Sequence, residues 1–129
     1  MLAALYGEYN WRTVNMDSLS DQEIFEIASP IWENMSVNSN AGNYAGFSKD
    51  FSDDLKGLIT EERLMTQSKE FPLLTSLVLE ATPLGCIRRV DGVCVLFRQL
   101  SSELPGEFLG KLKLINDNGT YKVGDAQVY

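Results

Sequence analysis

A chain of 129 residues, with 44% hydrophobic and 22% charged residues, has the size and composition of one globular domain. Its net charge of −7 and its eleven scattered Lys and Arg side chains oppose binding to a phosphate backbone, so we expect no nucleic-acid partner. Histidine is absent, which excludes histidine-based acid–base catalysis, Ser-His-Asp and Cys-His arrangements, and metal sites that use imidazole.

No apolar run approaches the roughly 18 residues that a membrane span requires, so we expect no membrane association. The amino terminus has a short apolar stretch, but it lacks the basic residue and the long hydrophobic segment of a secretion signal. We therefore expect a cytoplasmic protein with a single domain over residues 1–129. Within it, residues 1–18 precede the first clear helix signal and are expected to form a flexible or loosely packed arm.

The first helix is predicted to begin at a capping box, S-D-Q-E over residues 20–23, in which the first and last side chains satisfy each other's backbone N–H groups. Apolar side chains then fall on one helical face as far as Met35, on both sides of Pro30. Two interpretations stay open: one helix kinked at Pro30, or two short helices with Pro30 in the first turn of the second. Residues 36–43 are rich in turn-forming residues and are predicted to form a loop.

Two further helices are predicted beyond this loop. Apolar side chains spaced by three and four residues between Tyr44 and Leu58 indicate a second amphipathic helix. Thr60 is suited to cap a third helix, because the two glutamates that follow it are favoured at the amino-terminal end of the helix dipole. Pro72 should end this third helix, since proline cannot donate the next helical hydrogen bond.

From Leu73 onward the spacing changes to strand-like runs separated by three turns, at residues 90–93, 104–107 and 117–120. Such a pattern predicts four strands in an antiparallel meander. The expected fold class is therefore α+β, with three amino-terminal helices followed by an antiparallel sheet.

The first hairpin can be paired residue by residue if residues 91–92 form a two-residue loop. Cys86 then lies opposite Phe97, while Cys94 falls on the other face of the sheet. Because a disulfide needs Cβ atoms that are close and point together, we expect two free thiols, as in a reducing compartment. Arg88 shares the apolar face with Phe97 in this register and is a candidate to face a pocket.

The second hairpin, with its turn at residues 118–119, admits two registers. A two-residue loop pairs Leu112 with Asp125 and places a carboxylate on the apolar face of the sheet. A three-residue loop with a glycine bulge pairs Lys111 with Asp125 instead. Asp125 is a candidate site residue only in the first of these registers.

The order of these elements resembles that of the nuclear transport factor 2-like superfamily over about residues 19–128. The likeness includes the segments N-Y-A-G-F at 43–47, D-F-S-D-D-L-K at 50–56 and N-G-T-Y-K-V at 118–123. It implies a cone, in which a curved sheet wraps round three helices and leaves a cavity open at one end.

The resemblance also implies a homodimer through the outer face of the sheet. With a two-residue loop in the second hairpin, Leu109, Ile115 and Val128 would lie on that face and favour association. The superfamily includes ketosteroid isomerase, scytalone dehydratase, SnoaL-like cyclases and transport factors, so the fold does not choose a function. Dehydration of the scytalone type relies on histidines, which this chain lacks.

Two functional hypotheses follow. We prefer a non-enzymatic pocket or interaction domain that binds a small apolar ligand without cofactor or metal, because apolar faces are present but no convergent catalytic set. The alternative is a small isomerase-, dehydratase- or cyclase-like enzyme that moves a proton on an apolar cyclic substrate. Asp125 would be its base, and Tyr44 or Arg88 its electrophilic partner. The candidate pocket-lining residues are Trp32, Tyr44, Arg88, Phe97 and Asp125.

Overall fold

Helices come first and strands last in the computed structural model, which describes residues 18–129. The helices are α1 Asp21–Ala41, α2 Tyr44–Phe47, α3 Asp53–Leu58 and α4 Glu61–Glu70, followed by a short 3-10 helix at Pro72–Thr75. The strands are β1 Thr82–Arg89, β2 Gly92–Gln99, β3 Phe108–Asp117 and β4 Thr120–Val128. The predicted α+β class is confirmed for these residues, whereas the predicted arm at 1–18 lies, except for Ser18, outside them.

The predicted capping box begins α1. The Glu23 N–H donates to the Ser20 hydroxyl (3.1 Å), and the Ser20 N–H donates to the Glu23 carboxylate (3.0 Å). The helix continues past Pro30, so the single-helix interpretation is the correct one. Its buried apolar side chains are Ile24, Ala28, Trp32 and Met35.

The predicted loop at residues 36–43 is wrong, because α1 continues to Ala41 and ends at Gly42. Gly42 has a φ of 68°, the left-handed conformation that glycine adopts without strain at a helix end. The Asn40 amide donates to the Leu77 carbonyl (2.8 Å), and its side-chain oxygen accepts the Leu77 N–H (2.8 Å). These tertiary hydrogen bonds outweigh the weak helix propensity of serine and asparagine.

The predicted second helix is in fact two short helices, α2 and α3. Ser52 begins α3, since its hydroxyl accepts the Leu55 N–H (3.2 Å). Just before it the backbone pairs with β4: the Ser52 N–H donates to the Val123 carbonyl (2.9 Å), and the Val123 N–H donates to the Asp50 carbonyl (2.7 Å). A continuous helix would use these backbone groups internally, so it cannot form here.

Thr60 caps α4 as predicted, because its hydroxyl accepts the Arg63 N–H (3.2 Å), and the helix ends before Pro72. The four strands form the predicted meander, with antiparallel neighbours in the order β1-β2-β3-β4. Within residues 18–129, no helix combines the length and the hydropathy that crossing a membrane would require.

The loop of the first hairpin differs from the predicted one. Residues 90–91 form it, so that Arg89 pairs with Gly92. Gly92 does not adopt a positive φ. A Cβ atom at this position would instead collide with the Leu114 carbonyl oxygen of β3. Close approach of the neighbouring strand, rather than turn conformation, therefore requires glycine here.

The changed loop moves the pairing of β1 and β2 by two residues, so Cys86 lies opposite Val95 instead of Phe97. Because side chains alternate with a period of two, each one keeps its predicted face. Cys86 and Cys94 thus lie on opposite faces, and both are free thiols as predicted. Burial raises the pKa of the Cys86 thiol, and the Asp21 carboxylate raises it further, which disfavours a reactive thiolate.

The second hairpin has the two-residue loop at residues 118–119, with positive φ angles of 54° and 89°. Leu114 pairs with Val123, as that register predicts, but a bulge follows and shifts the rest of β4. Asp125 consequently lies opposite Lys113.

The bulge in β4 overturns two placements made from the sequence. Asp125 has neither of its predicted partners, Leu112 or Lys111, and its side chain is exposed. Val128, predicted on the outer face, packs against the core instead. One extra residue reverses the alternation of the strand, and that effect is not contained in either simple register.

Candidate functional site

A cleft of about 630 Å³ lies between the carboxyl-terminal part of α1, helices α3 and α4, the segment after α4 and the end of β4. Its volume falls in the range of roughly 300–1,000 Å³ that is typical of small-molecule sites. We call it the α1–β4 cleft. The buried apolar side chains that line it are Trp32, Met35, Phe47, Leu55, Leu64 and Leu77.

Trp32 joins this cleft to the hydrophobic core. Its indole ring stacks on Phe97, with ring centroids 5.2 Å apart and an interplanar angle of 16°. The indole N–H donates to the side-chain oxygen of the fully buried Gln99 (2.8 Å). Gly110 of β3 has no side chain, and a Cβ atom at this position would come too close to the indole ring. The indole is therefore held in one orientation, with its only hydrogen-bond donor already used.

Two serines one helical turn apart lie on the α1 wall of the cleft. Ser39 is 1% exposed, and its hydroxyl donates to the Leu74 carbonyl (2.5 Å). Ser36 is 2% exposed and also lines the cleft, but its hydroxyl makes no hydrogen bond with residues 18–129. The wall therefore presents an open hydroxyl among apolar side chains.

Charged and amide side chains surround the opening of the cleft. On the β4 side, Asp125 accepts the Ala126 N–H (2.9 Å) and lies 3.5 Å from the side-chain nitrogen of Gln127. On the α4 side, Arg63 forms no ion pair with the part of the chain that the structure describes. The rim residues are Arg63, Gln67, Glu70, Asp125 and Gln127.

Trp32 and Asp125, two of the five candidate pocket residues, border the cleft. They occupy different parts of it, because Trp32 is 5% exposed in the interior and Asp125 is exposed on the rim. Phe97 is 1% exposed and lies behind Trp32, outside the lining. It supports the site by fixing the indole ring.

Tyr44 and Arg88 do not line the cleft. The Tyr44 hydroxyl donates to the Ile59 carbonyl (2.6 Å), which ties α2 to the end of α3. The Arg88 guanidinium donates to the Asp21 carboxylate (2.7 Å) and to the Leu19 carbonyl (2.7 Å), at the opposite end of α1. Both side chains therefore connect parts of the fold.

Sequence reasoning missed the two serines because it assigned them to a loop. The available signal was the helical spacing, since Ser36 and Ser39 lie four residues after the buried Trp32 and Met35. If the helix is extended, both serines necessarily join its buried face.

The candidate catalytic residues within residues 18–129 do not come together at the cleft. No group of three His, Cys, Asp or Glu side chains within residues 18–129 is arranged to hold a metal ion. Asp125 lies on the rim without Tyr44 or Arg88 beside it. What the cleft can supply is an apolar surface with one open hydroxyl and a polar rim.

No family model matches this chain, and no curated protein matches it. The geometry of the cleft is therefore the basis for the functional conclusion.

Proposed function

We propose that the protein is a non-enzymatic binding domain whose α1–β4 cleft holds a small, mainly apolar ligand. The observation that carries this proposal is a cleft of about 630 Å³ with a buried apolar lining. Polar groups of its walls, such as the Trp32 indole N–H and the Ser39 hydroxyl, are already paired inside the protein. Transfer of an apolar molecule from water to this surface is therefore favourable.

The dispersion of the candidate catalytic residues supports binding over catalysis. An enzyme with Asp125 as base would need Tyr44 or Arg88 close to the reacting atoms, so that developing charge is stabilised. Neither side chain lines the cleft: the Tyr44 hydroxyl donates to the Ile59 carbonyl, and the Arg88 guanidinium pairs with Asp21 at the opposite end of α1. Within residues 18–129, the proton-transfer alternative therefore lacks both of its candidate electrophilic partners at the cleft.

A nuclear transport factor 2-like cone is part of the same proposal. Register irregularities interrupt β1 between Pro83 and Gly85, and the β3–β4 pairing between Lys113 and Leu114. Bulges of this kind bend strands, which favours a sheet that curves round the helices. The sheet itself is open, with β1 and β4 as its edges.

We further propose that two copies associate through the outer face of the sheet in the cytoplasm. Support for association comes from Ile87, which is 49% exposed, and from the partly exposed Leu109 and Ile115. The free thiols suit a reducing compartment. Sedimentation at micromolar concentration should give a dimer mass that Leu109→Lys lowers to the monomer, whereas a wild-type monomer mass contradicts this arrangement.

Ligand binding can be tested with the neutral fluorescent probe N-phenyl-1-naphthylamine, titrated into the full chain. We expect saturable binding to one site. Leu58 lines the cleft yet is 64% exposed, so Leu58→Asp should leave the fold intact and weaken binding roughly tenfold. Leu79→Asp is the matched control, because Leu79 is 40% exposed and lies outside the lining. Equal affinities for the two variants would contradict the assignment of the cleft.

A further inference from the structure

The Ser36 hydroxyl is a buried polar group that residues 18–129 leave without a partner. A hydroxyl can donate one hydrogen bond and accept two, and the residue is 2% exposed. No fully enclosed side-chain nitrogen or oxygen in this part of the chain lacks a hydrogen bond. The unpaired Oγ of Ser36 must therefore be reached from the open space beside it, which is the α1–β4 cleft.

Ser39 shows that a buried serine on this helix can find a hydrogen-bond partner, so the lack of one at Ser36 is not explained by the residue type or by the helix. It lies one turn further along α1, is equally buried and gives its hydrogen bond to the Leu74 carbonyl. The Trp32 indole, one turn before Ser36, gives its own hydrogen bond to Gln99. Because buried polar groups are nearly always paired, the Ser36 hydroxyl indicates a polar atom of something that enters the cleft.

The surroundings of Ser36 restrict the charge of that atom. Arg63 is the cationic side chain in the described lining, and it lies on the exposed rim. A carboxylate or phosphate brought to Ser36 would be buried among Trp32 and Met35 without a counter-ion, which is costly. A neutral oxygen has no such penalty, since one hydrogen bond to the hydroxyl satisfies it.

We propose that the ligand is an apolar compound with one uncharged oxygen, a hydroxyl or a carbonyl, which hydrogen-bonds to Ser36 Oγ. Its hydrocarbon body lies against Trp32 and Met35. This inference rests on the proposed function and specifies the ligand class of the same cleft.

The test compares naphthalene with 2-naphthol, which share one ring system and differ by a hydroxyl group. Isothermal titration calorimetry gives the ratio of their affinities for the wild-type chain and for Ser36→Ala. Taking the ratio in both proteins removes the difference in solubility of the two compounds. We expect Ser36→Ala to lower the relative affinity for 2-naphthol about 2- to 10-fold and to leave naphthalene binding unchanged.

Ser39→Ala is the matched control and should keep the wild-type ratio, because its hydroxyl is used inside the protein. Ser36→Cys, which has nearly the same shape and a weaker donor, should give an intermediate ratio. The same ratio in wild type and Ser36→Ala overturns the inference and leaves the proposed function standing. Absence of saturable binding of both compounds to the wild-type chain overturns both.

Discussion

Along α1, the apolar face of residues 21–35 packs in the hydrophobic core, whereas the end of the helix at residues 36–41 is held by side-chain hydrogen bonds to the segment after α4. Trp32 marks the end of the first region, where the indole lies on Phe97. Asn40 is typical of the second, because it forms two hydrogen bonds with the Leu77 backbone. One helix therefore contributes both to a dry core and to the wall of a cleft.

The difference lies in what each region requires of its partners. Apolar packing needs only side chains of suitable size and spacing, and it is not directional. Hydrogen bonds from Ser39 and Asn40 need carbonyl and N–H groups at fixed positions, so they depend on where the segment around Leu74 and Leu77 lies. Ser36 lies at the junction, where its side chain lines the cleft and has no hydrogen-bond partner among residues 18–129.

Trp32→Ala should have the largest effect and tests the apolar region. We expect a loss of about 3–5 kcal/mol in the free energy of unfolding, because the change opens a cavity beside Phe97 and removes the donor to the Gln99 side-chain oxygen. Urea denaturation measures it. Glu33→Ala, at the exposed neighbouring position, should change the stability by less than about 0.5 kcal/mol. Unfolding of Trp32→Ala at the wild-type midpoint would refute this account of the core.

Asn40→Ala should have the second-largest effect, and it tests the hydrogen-bonded region. Its removal leaves the N–H and the carbonyl of Leu77 without their partner, which costs about 1–3 kcal/mol. The control is Val37→Ala, since Val37 is 42% exposed on the same part of the helix. If both variants unfold at the same urea concentration, these hydrogen bonds do not hold the end of α1.

Ser39→Ala and Ser36→Ala should differ in how much stability they lose, and they test the point where the two regions of α1 meet. Ser39→Ala loses the hydrogen bond to the Leu74 carbonyl, so we expect a decrease of about 1 kcal/mol. Ser36→Ala removes a hydroxyl without a partner among the described residues and should be close to neutral. Urea midpoints in the absence of ligand measure the difference. A larger loss for Ser36→Ala than for Ser39→Ala would reverse the roles assigned to them.

The smallest effect concerns the start of α1, where the backbone N–H of Ser20 and then its hydroxyl lower the pKa of Glu23. Because this pKa is lower in the folded state, the carboxylate stabilises the fold above its unfolded-state pKa, and this contribution disappears as the pH falls through the folded value. Glu23→Gln keeps an acceptor oxygen but does not titrate. Between about pH 6 and pH 3, wild type should lose slightly more stability than Glu23→Gln. Urea denaturation at each pH measures the free energy of unfolding. If this free energy falls equally with pH in both proteins, the assigned role of Glu23 is wrong.

Three predictions from the sequence succeeded because one short segment contains both partners of the interaction. The capping box at residues 20–23, the cap at Thr60 and the turn at residues 118–119 are all of this kind. For the candidate site, the apolar spacing of α1 was sufficient to place Trp32 in a buried position. The serines beyond it were missed, because their helical state depends on residues far along the chain.

The sequence by itself determined the α+β class, the order of helices before strands, and the apolar faces of α1, β1 and β2, since local propensity and spacing carry that information. Tertiary structure decided where α1 ends, where Ser52 interrupts the second helical segment, and which way Asp125 points after the bulge. It also decided that Ser36 meets a cleft while Ser39 meets a carbonyl. The physical reason is that each outcome depends on a partner far away in the sequence, and no local pattern encodes where that partner will lie.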